Sequence, residues 1–386
     1  VSYSAYLWHQ PVIAFSKAGS LLFGEISKIT IVTYIFLISI LSWKFIEVPF
    51  RNKAYKSNYI FAGLVAVSFM LLLFGNWSYR SLAKLNHESA MAKELSTNVA
   101  IFASNMDERK FIKSRIEVEE MSPQIIVLGS SRIMQISSRH FGKELLNLGV
   151  SGSSIEDDVA IWKLASVKFE PSLVLIGVDP WLLNDKSGQY RWKSLEVDYY
   201  LGLIDLGVGV EKTKTLISKK NGVSDNFLIG LYKTMNVFKI ASDNDSPELI
   251  DKIRRDGSRV YNISYSNHTQ NQIELEATSF ASYGMLPYQK SIDIENIFEK
   301  LLLRIKEKHK VVLVLSPYHP KLYEFMKTED KKFIDIEKQF KNLAARLNVQ
   351  IIGSYNPAEV GCSSSEFYDG MHPKEICMNK VISHIR

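Results

Sequence analysis

Cysteine is nearly absent from this chain: there are two in 386 residues, Cys362 and Cys377, both near the C-terminus. They lie 15 residues apart, and no zinc-site or haem-attachment spacing is present. A Lys/Arg block is also lacking. The formal net charge of +6 is mild, and part of it sits in the short stretch 44–56, so no nucleic-acid stripe is expected. No internal repeat, low-complexity tract or secretory signal pattern is visible. The first residue is Val1 rather than Met, and the opening residues are already membrane-like; the expectation is a fragment of a longer protein.

Apolar residues are plentiful but unevenly placed. Residues 1–77 are strongly apolar, and the remainder reads as soluble, which suggests two units in a chain too long for one core. Tyr59–Trp77 runs for 19 residues without a charge and has aromatics at both ends. That pattern predicts a transmembrane helix with interfacial anchors. Ile29–Trp43 is shorter, with Lys28 and Lys44 placed to snorkel. A third apolar run, Tyr3–Phe15, contains His9 and Pro11. Buried core helices are the other reading of these runs. Lys44, Arg51, Lys53 and Lys56 outnumber Glu47 between the two main runs, so the positive-inside rule puts that loop in the cytoplasm. Everything after residue 77 is then expected outside the inner membrane.

Residues 78–120 are polar and helix-prone, and predict one or two solvent-facing helices forming a linker. From residue 124 the pattern changes. QIIVLG (124–129), ELLNLGV (144–150), SLVLIGV (172–178), KVVLVLS (310–316) and NVQIIGS (348–354) are short apolar runs separated by helical stretches such as 291–308. Continuous apolar strands alternating with helices predict a three-layer α/β domain with a mainly parallel sheet, covered on both faces. Chemistry in such sheets collects at the carboxyl ends of the strands.

Two of those ends, and a loop before the last helix, carry suitable groups. The first run ends in Gly129-Ser130-Ser131-Arg132, where a turn can present a hydroxyl; a plain N-cap serine is the alternative. The second ends in Asn147-Leu148-Gly149-Val150-Ser151-Gly152, where a glycine can leave a backbone N–H open to an oxyanion, or simply make a turn. Before the last helix stand Asp369 and His372, three apart. His372 can take a proton from a serine while Asp369 orients its ring; an incidental surface histidine is the other reading. His319, in Ser-Pro-Tyr-His-Pro at another strand end, either lines the pocket or belongs to a loop. The aromatic stretch 189–200 (QYRWKSLEVDYY) either stacks on sugar rings or packs as an excursion.

Two resemblances order these fragments. SYSAYLWHQPV (2–12) followed by SWKFIEVPFRNK (42–53) resembles the end of the membrane domain of the acyltransferase-three family, multi-pass bacterial enzymes that O-acylate surface polysaccharides. That family's catalytic Arg and His belong to earlier helices, so His9 and Glu47 are signature residues here rather than catalytic ones. The blocks GSS, N-x-G-x-x-G and D-x-x-H, in that order, resemble the SGNH (GDSL-like) hydrolase family, whose domains occur fused behind acyltransferase-three domains. The resemblance implies Ser131 as nucleophile, the N–H groups of Ser131 and Gly152 as oxyanion donors, Asp369 as orienter and His372 as base.

Two positions depart from the pattern. Ser130 stands where the first block usually has Asp, and Asp179 stands where the third block supplies an oxyanion Asn. An ionised Asp179 would repel an oxyanion. It either points away as a structural cap, or is protonated, or leaves a weaker site; Asn184 lies nearby in sequence.

The combined expectation is an end of a membrane domain at 1–77, a linker at 78–120 and an SGNH-type extracytoplasmic domain at 121–386. Its implied activity is transfer of an acyl group, an acetyl group in the first instance, to hydroxyls of a surface polysaccharide such as lipopolysaccharide O-antigen. A membrane-anchored esterase and a non-catalytic glycan-positioning domain are the alternatives. The implied location is the bacterial inner membrane, with the C-terminal domain in the periplasm or outside the cell. Surface glycan and the lipid bilayer are the implied partners. No cofactor or metal is expected on this chain, and the implied acyl donor is acetyl-CoA, used by the complete membrane domain. Outside the cytoplasm, Cys362 and Cys377 are expected to pair and pin the Asp369–His372 loop.

Overall fold

Five apolar runs separated by helices can be buried on both faces only as a covered parallel sheet, and they form one in the computed structural model. The structure describes residues 4–13, 28–48, 65, 69–70, 72–73, 87–208, 238–282, 288–329 and 332–385. The strands are β1 (Ala100–Ala103), β2 (Ile125–Leu128), β3 (Leu145–Asn147), β4 (Leu173–Gly177), β5 (Phe238–Ala241), β6 (Lys252–Arg254), β7 (Arg259–Val260), β8 (Lys310–Leu315) and β9 (Gln350–Gly353). The parallel sheet has the order β3-β2-β4-β8-β9. The chain leaves β2 for one side, to β3, and then crosses to the other, to β4. That reversal makes the carboxyl end of β2 a topological switch point, where α/β sheets open a crevice.

Side chains alternate across the sheet as strand geometry requires. Ile125, Val127, Leu175, Val312 and Val314 pack against Met378, Val381 and Ile382 of the helix Glu375–Ile382. Ile126, Leu128, Val174, Ile176, Leu313 and Leu315 face the opposite core, shared with helices Ile155–Lys168, Ile292–Lys306 and Lys332–Leu347. The three-layer α/β reading is therefore right.

The reading of 78–120 as solvent-facing helices is corrected for its described part. The helices His87–Thr97 and Glu108–Val118 bury Met91, Leu95, Phe111, Ile112 and Ile116 in the main core. Those apolar residues are few, but Met91/Leu95 and Ile112/Ile116 are four apart, enough to make one buried stripe. Between the helices lies β1, an inner strand of a second, antiparallel sheet ordered β5-β1-β6-β7. The chain divides into a unit of Val1–Asn86 with Ser224–Val237 and a unit of His87–Val223 with Phe238–Arg386, so the boundary expected at 121 falls near 87.

In the first unit, residues 4–13 are helical, and Lys28–Ser42 is a helix whose Ile29, Val32, Tyr34, Phe36, Leu37, Ile40 and Leu41 are exposed. Ser4 Oγ donates to Glu47 Oε2 at 3.0 Å, joining the two stretches that carry the membrane-family signature. His9 Nδ1 lies 2.6 Å from the carbonyl of Tyr6 on its own helix. No helix among the described residues is long and apolar enough to cross a membrane. Of Tyr59–Trp77, only Val65, Phe69, Met70, Leu72 and Leu73 are described, each helical and exposed; the rest of that run, with Arg51, Lys53 and Lys56, lies outside the described residues.

Candidate active site

Gly129 ends β2 with φ +132°, a conformation L side chains avoid, and a Cβ there would press to 3.1 Å on the backbone of Gly177 at the end of β4. Only glycine lets the two strand ends close on each other while the chain turns. Ser130 caps the short turn Ser131–Ile133 by accepting from Arg132 N, so of the paired serines it is Ser131 that projects. Ser131 Oγ lies 2.9 Å from His372 Nε2, and His372 Nδ1 lies 2.8 Å from Asp369 Oδ2. A carboxylate only accepts, so it holds the proton on Nδ1 and leaves Nε2 free to take one from the serine. The hydroxyl, imidazole and carboxylate inferred from the sequence thus meet, across 241 residues of chain.

No protein-family model and no curated protein matches this chain.

Asp369 is buried, which alone would raise its pKa. The bonds and charge of His372, a bond from Tyr265 and the N–H of Met371 outweigh burial and lower it to about 2. Its Oδ1 also accepts from the N–H groups of Met371 and His372, at 2.6 and 2.7 Å, so the loop wraps its own carboxylate. The disulfide Cys362–Cys377 closes that loop, with Cα atoms 5.4 Å apart.

Tyr265 was not anticipated. Its hydroxyl donates to Asp369 Oδ2 and lies 3.2 Å from His372 Nδ1. Asn262 caps the short helix Ile263–Ser266 by accepting from Tyr265 N, and Asp251 holds Asn262 through its N–H and amide, both at 2.9 Å. Tyr265 stacks on Tyr368, and Tyr261 packs edge-on to both. Burial first, then the Asp369 charge and its hydrogen bond, keep the Tyr265 phenol protonated, a donor at any ordinary pH. The only sequence signal was the asparagine cap ahead of a four-residue helix, too weak to single out one tyrosine.

Gly152, with φ +56°, lines the same cleft as Ser131 and His372. Neither its N–H nor that of Ser131 donates to a protein acceptor among the described residues. Around Gly152 the loop is tied down. Ser151 donates its N–H and hydroxyl to Glu108, at 2.6 and 3.0 Å. Arg109 grips Asp157 with both Nε and Nη2 and reaches the Ser151 carbonyl. Burial disfavours the Glu108 charge, yet Arg259 and the Ser151 bonds still hold its pKa below the ordinary value. Asn147 binds the two strand-end turns together: its amide donates to the Ile133 and Ile136 carbonyls and its oxygen accepts from Gly149 N. A loop held this firmly keeps its free N–H in place, as an oxyanion donor must be.

Two expected pocket residues lie elsewhere. Asp179 is buried and paired with Arg132 Nη1 at 2.8 Å, outside the cleft lining. The same guanidinium donates to the carbonyls of Met371, Ser316 and Pro317 and lies 3.6 Å over the Tyr318 ring. Asp179 is thus the counter-charge of a clamp, since a buried cation needs one. Asn184 does not replace it: its side-chain oxygen accepts from Lys186 N and Gln289 N. His319 is 1 % exposed; its N–H donates to the Gly370 carbonyl, its Nδ1 accepts from Lys321 N, and its ring meets Phe367 edge-on. Burial lowers its pKa. It supports the Asp369–His372 loop from behind. In the 189–200 stretch, Trp192 is buried against Tyr199, which removes it as a sugar-stacking platform.

Proposed function

We propose that the unit beginning at His87 is a serine-dependent acyl-ester enzyme, an O-acyltransferase acting on hydroxyls of a bacterial surface polysaccharide. The observation that carries this is the unbroken chain from Ser131 Oγ through His372 to Asp369, with contacts of 2.9 and 2.8 Å. In the first step Ser131 Oγ attacks the donor's ester carbonyl while His372 Nε2 takes the hydroxyl proton. Asp369 stabilises the imidazolium. The oxyanion is met by the N–H groups of Ser131 and Gly152. His372 then protonates the leaving oxygen, and the acyl group remains on Ser131. A sugar hydroxyl, deprotonated by His372, attacks that ester and regenerates the serine.

The cleft, about 550 Å3, suits a sugar-sized ligand. Acceptor and acyl identity follow from the acyltransferase-three resemblance, on which the acetyl group and its ultimate source in acetyl-CoA also rest. Attachment to the inner membrane is part of the same proposal. It is supported by the uncharged run at 59–77 and by the exposed apolar side chains of Lys28–Ser42. With Asp179 engaged by Arg132, the feature favouring a non-catalytic glycan-positioning domain loses its force.

A fluorophosphonate probe tests the reading. The wild-type chain should be labelled at Ser131, with labelling lost in Ser131→Ala and His372→Ala. An unlabelled wild-type protein would end the assignment. A labelled acyl donor then separates transfer, with label on glycan, from hydrolysis, with label in free acid.

A further inference from the structure

Arg191 lines the cleft with Ser131, Gly152 and His372, and it is exposed. It makes no hydrogen bond or ion pair with any described residue. The other charged groups of the lining are occupied. Arg259 is paired with Glu108, His268 faces Glu276 at 3.4 Å, and Asp251 holds Asn262. The Arg191 guanidinium nevertheless lies tight against the loop: Nη2 is 2.3 Å from where a Cβ on Gly152 would stand, and the Gln189 amide is 3.2 Å from the same point. Its backbone is anchored by the residues that follow it. Trp192 beside it is buried, and Ser194 Oγ donates to Asp107 at 2.7 Å. A guanidinium unpaired among the described residues and held over the oxyanion corner of a cleft is poised for an anion supplied from outside.

We propose that Arg191, with the Gln189 amide beside it, is a carboxylate subsite that selects acidic sugars as substrates. This rests on the acyl-ester reading of the cleft and names the class of glycan it takes. A guanidinium presents a planar fork that matches a carboxylate with two parallel bonds, and a neutral sugar hydroxyl cannot replace that. Gly152 serves twice in this arrangement, since a side chain there would displace the guanidinium. The stretch 189–200 thus reads sugars through charge rather than through its tryptophan.

Binding to the full chain carrying Ser131→Ala separates this subsite from catalysis. Sodium glucuronate and glucose are titrated calorimetrically against that protein and against the same protein with Arg191→Gln. Glucuronate should bind more tightly than glucose, and Arg191→Gln should erase about tenfold or more of that preference. Arg191→Lys should restore it only in part. In protein with Ser131 intact, the kcat/KM ratio for O-acetylglucuronate over O-acetylglucose should fall by a similar factor in Arg191→Gln. Equal affinity for the two sugars, or a preference that survives Arg191→Gln, overturns the subsite whether or not Ser131 takes a fluorophosphonate. Absent labelling with an intact preference overturns the enzyme reading instead and leaves the subsite standing.

Discussion

Asp369 shows what a single carboxylate gains by being surrounded. Its pKa drops from 3.8 to about 2 despite burial, because His372, Tyr265 and the Met371 N–H all favour the charged form. A depressed folded-state pKa contributes stability that is complete above the unfolded value and is lost as pH falls through the folded one. The contribution is about 2 kcal/mol. Asp369→Asn should therefore flatten the stability–pH curve between about pH 4 and pH 2, as measured by urea unfolding across that range. Tyr265 touches the carboxylate and the ring nitrogen but not the serine oxygen, so under the proposed function it is a positioning residue. Tyr265→Phe should lower kcat about tenfold and leave KM nearly unchanged, because one charge-assisted bond to the orienting pair is lost while the cleft stays open. A rise in KM with kcat preserved would place Tyr265 in substrate binding instead. Ser131, Asp369, His372 and Gly152 were legible in the sequence because each sits at a strand or helix end in a short pattern. Tyr265 and Arg191 were not, since their roles come from where an insertion folds back.

Two devices hold the Asp369–His372 loop as an element. The disulfide closes a loop of 15 residues, worth about 3 kcal/mol by loop-closure entropy. Cys362→Ser with Cys377→Ser should lower unfolding free energy by about that amount, measured under oxidising conditions. Reductant added to the wild type should reproduce the loss. The second device is Arg132, which joins the end of β2 to Asp179 after β4, to Ser316 and Pro317 after β8, and to Met371 in the loop. Arg132→Met strands Asp179 as a buried charge and should cost about 3–5 kcal/mol. Adding Asp179→Leu should recover much of it, because replacing both partners removes the orphaned charge. A double variant no better than the single one would mean that the Met371 carbonyl, not the ion pair, is what Arg132 secures. The five parallel strands were legible because each is a continuous apolar run. The antiparallel sheet was not: β6 and β7 have three residues and two, and its members come from chain segments 100–103 and 238–260.

At the scale of the whole chain, the unexpected result is that the polar stretch before residue 121 is structural. Composition pointed to a linker because charged residues hide the apolar stripe at Met91, Leu95, Ile112 and Ile116. This segment supplies β1, on which β5 and β6 both pair, and also Glu108 and Arg109, which hold the Ser151–Gly152 loop. Its loss would remove part of the core under one face of the sheet and release the Ser151–Gly152 loop together. A chain starting at residue 87 should therefore fold cooperatively and take a fluorophosphonate at Ser131. A chain starting at residue 121 should be insoluble or unlabelled. If the shorter chain folded and reacted at a comparable rate, the helices and strand between 87 and 120 would be a dispensable cover, and the Ser151–Gly152 loop would hold its place without Glu108 and Arg109.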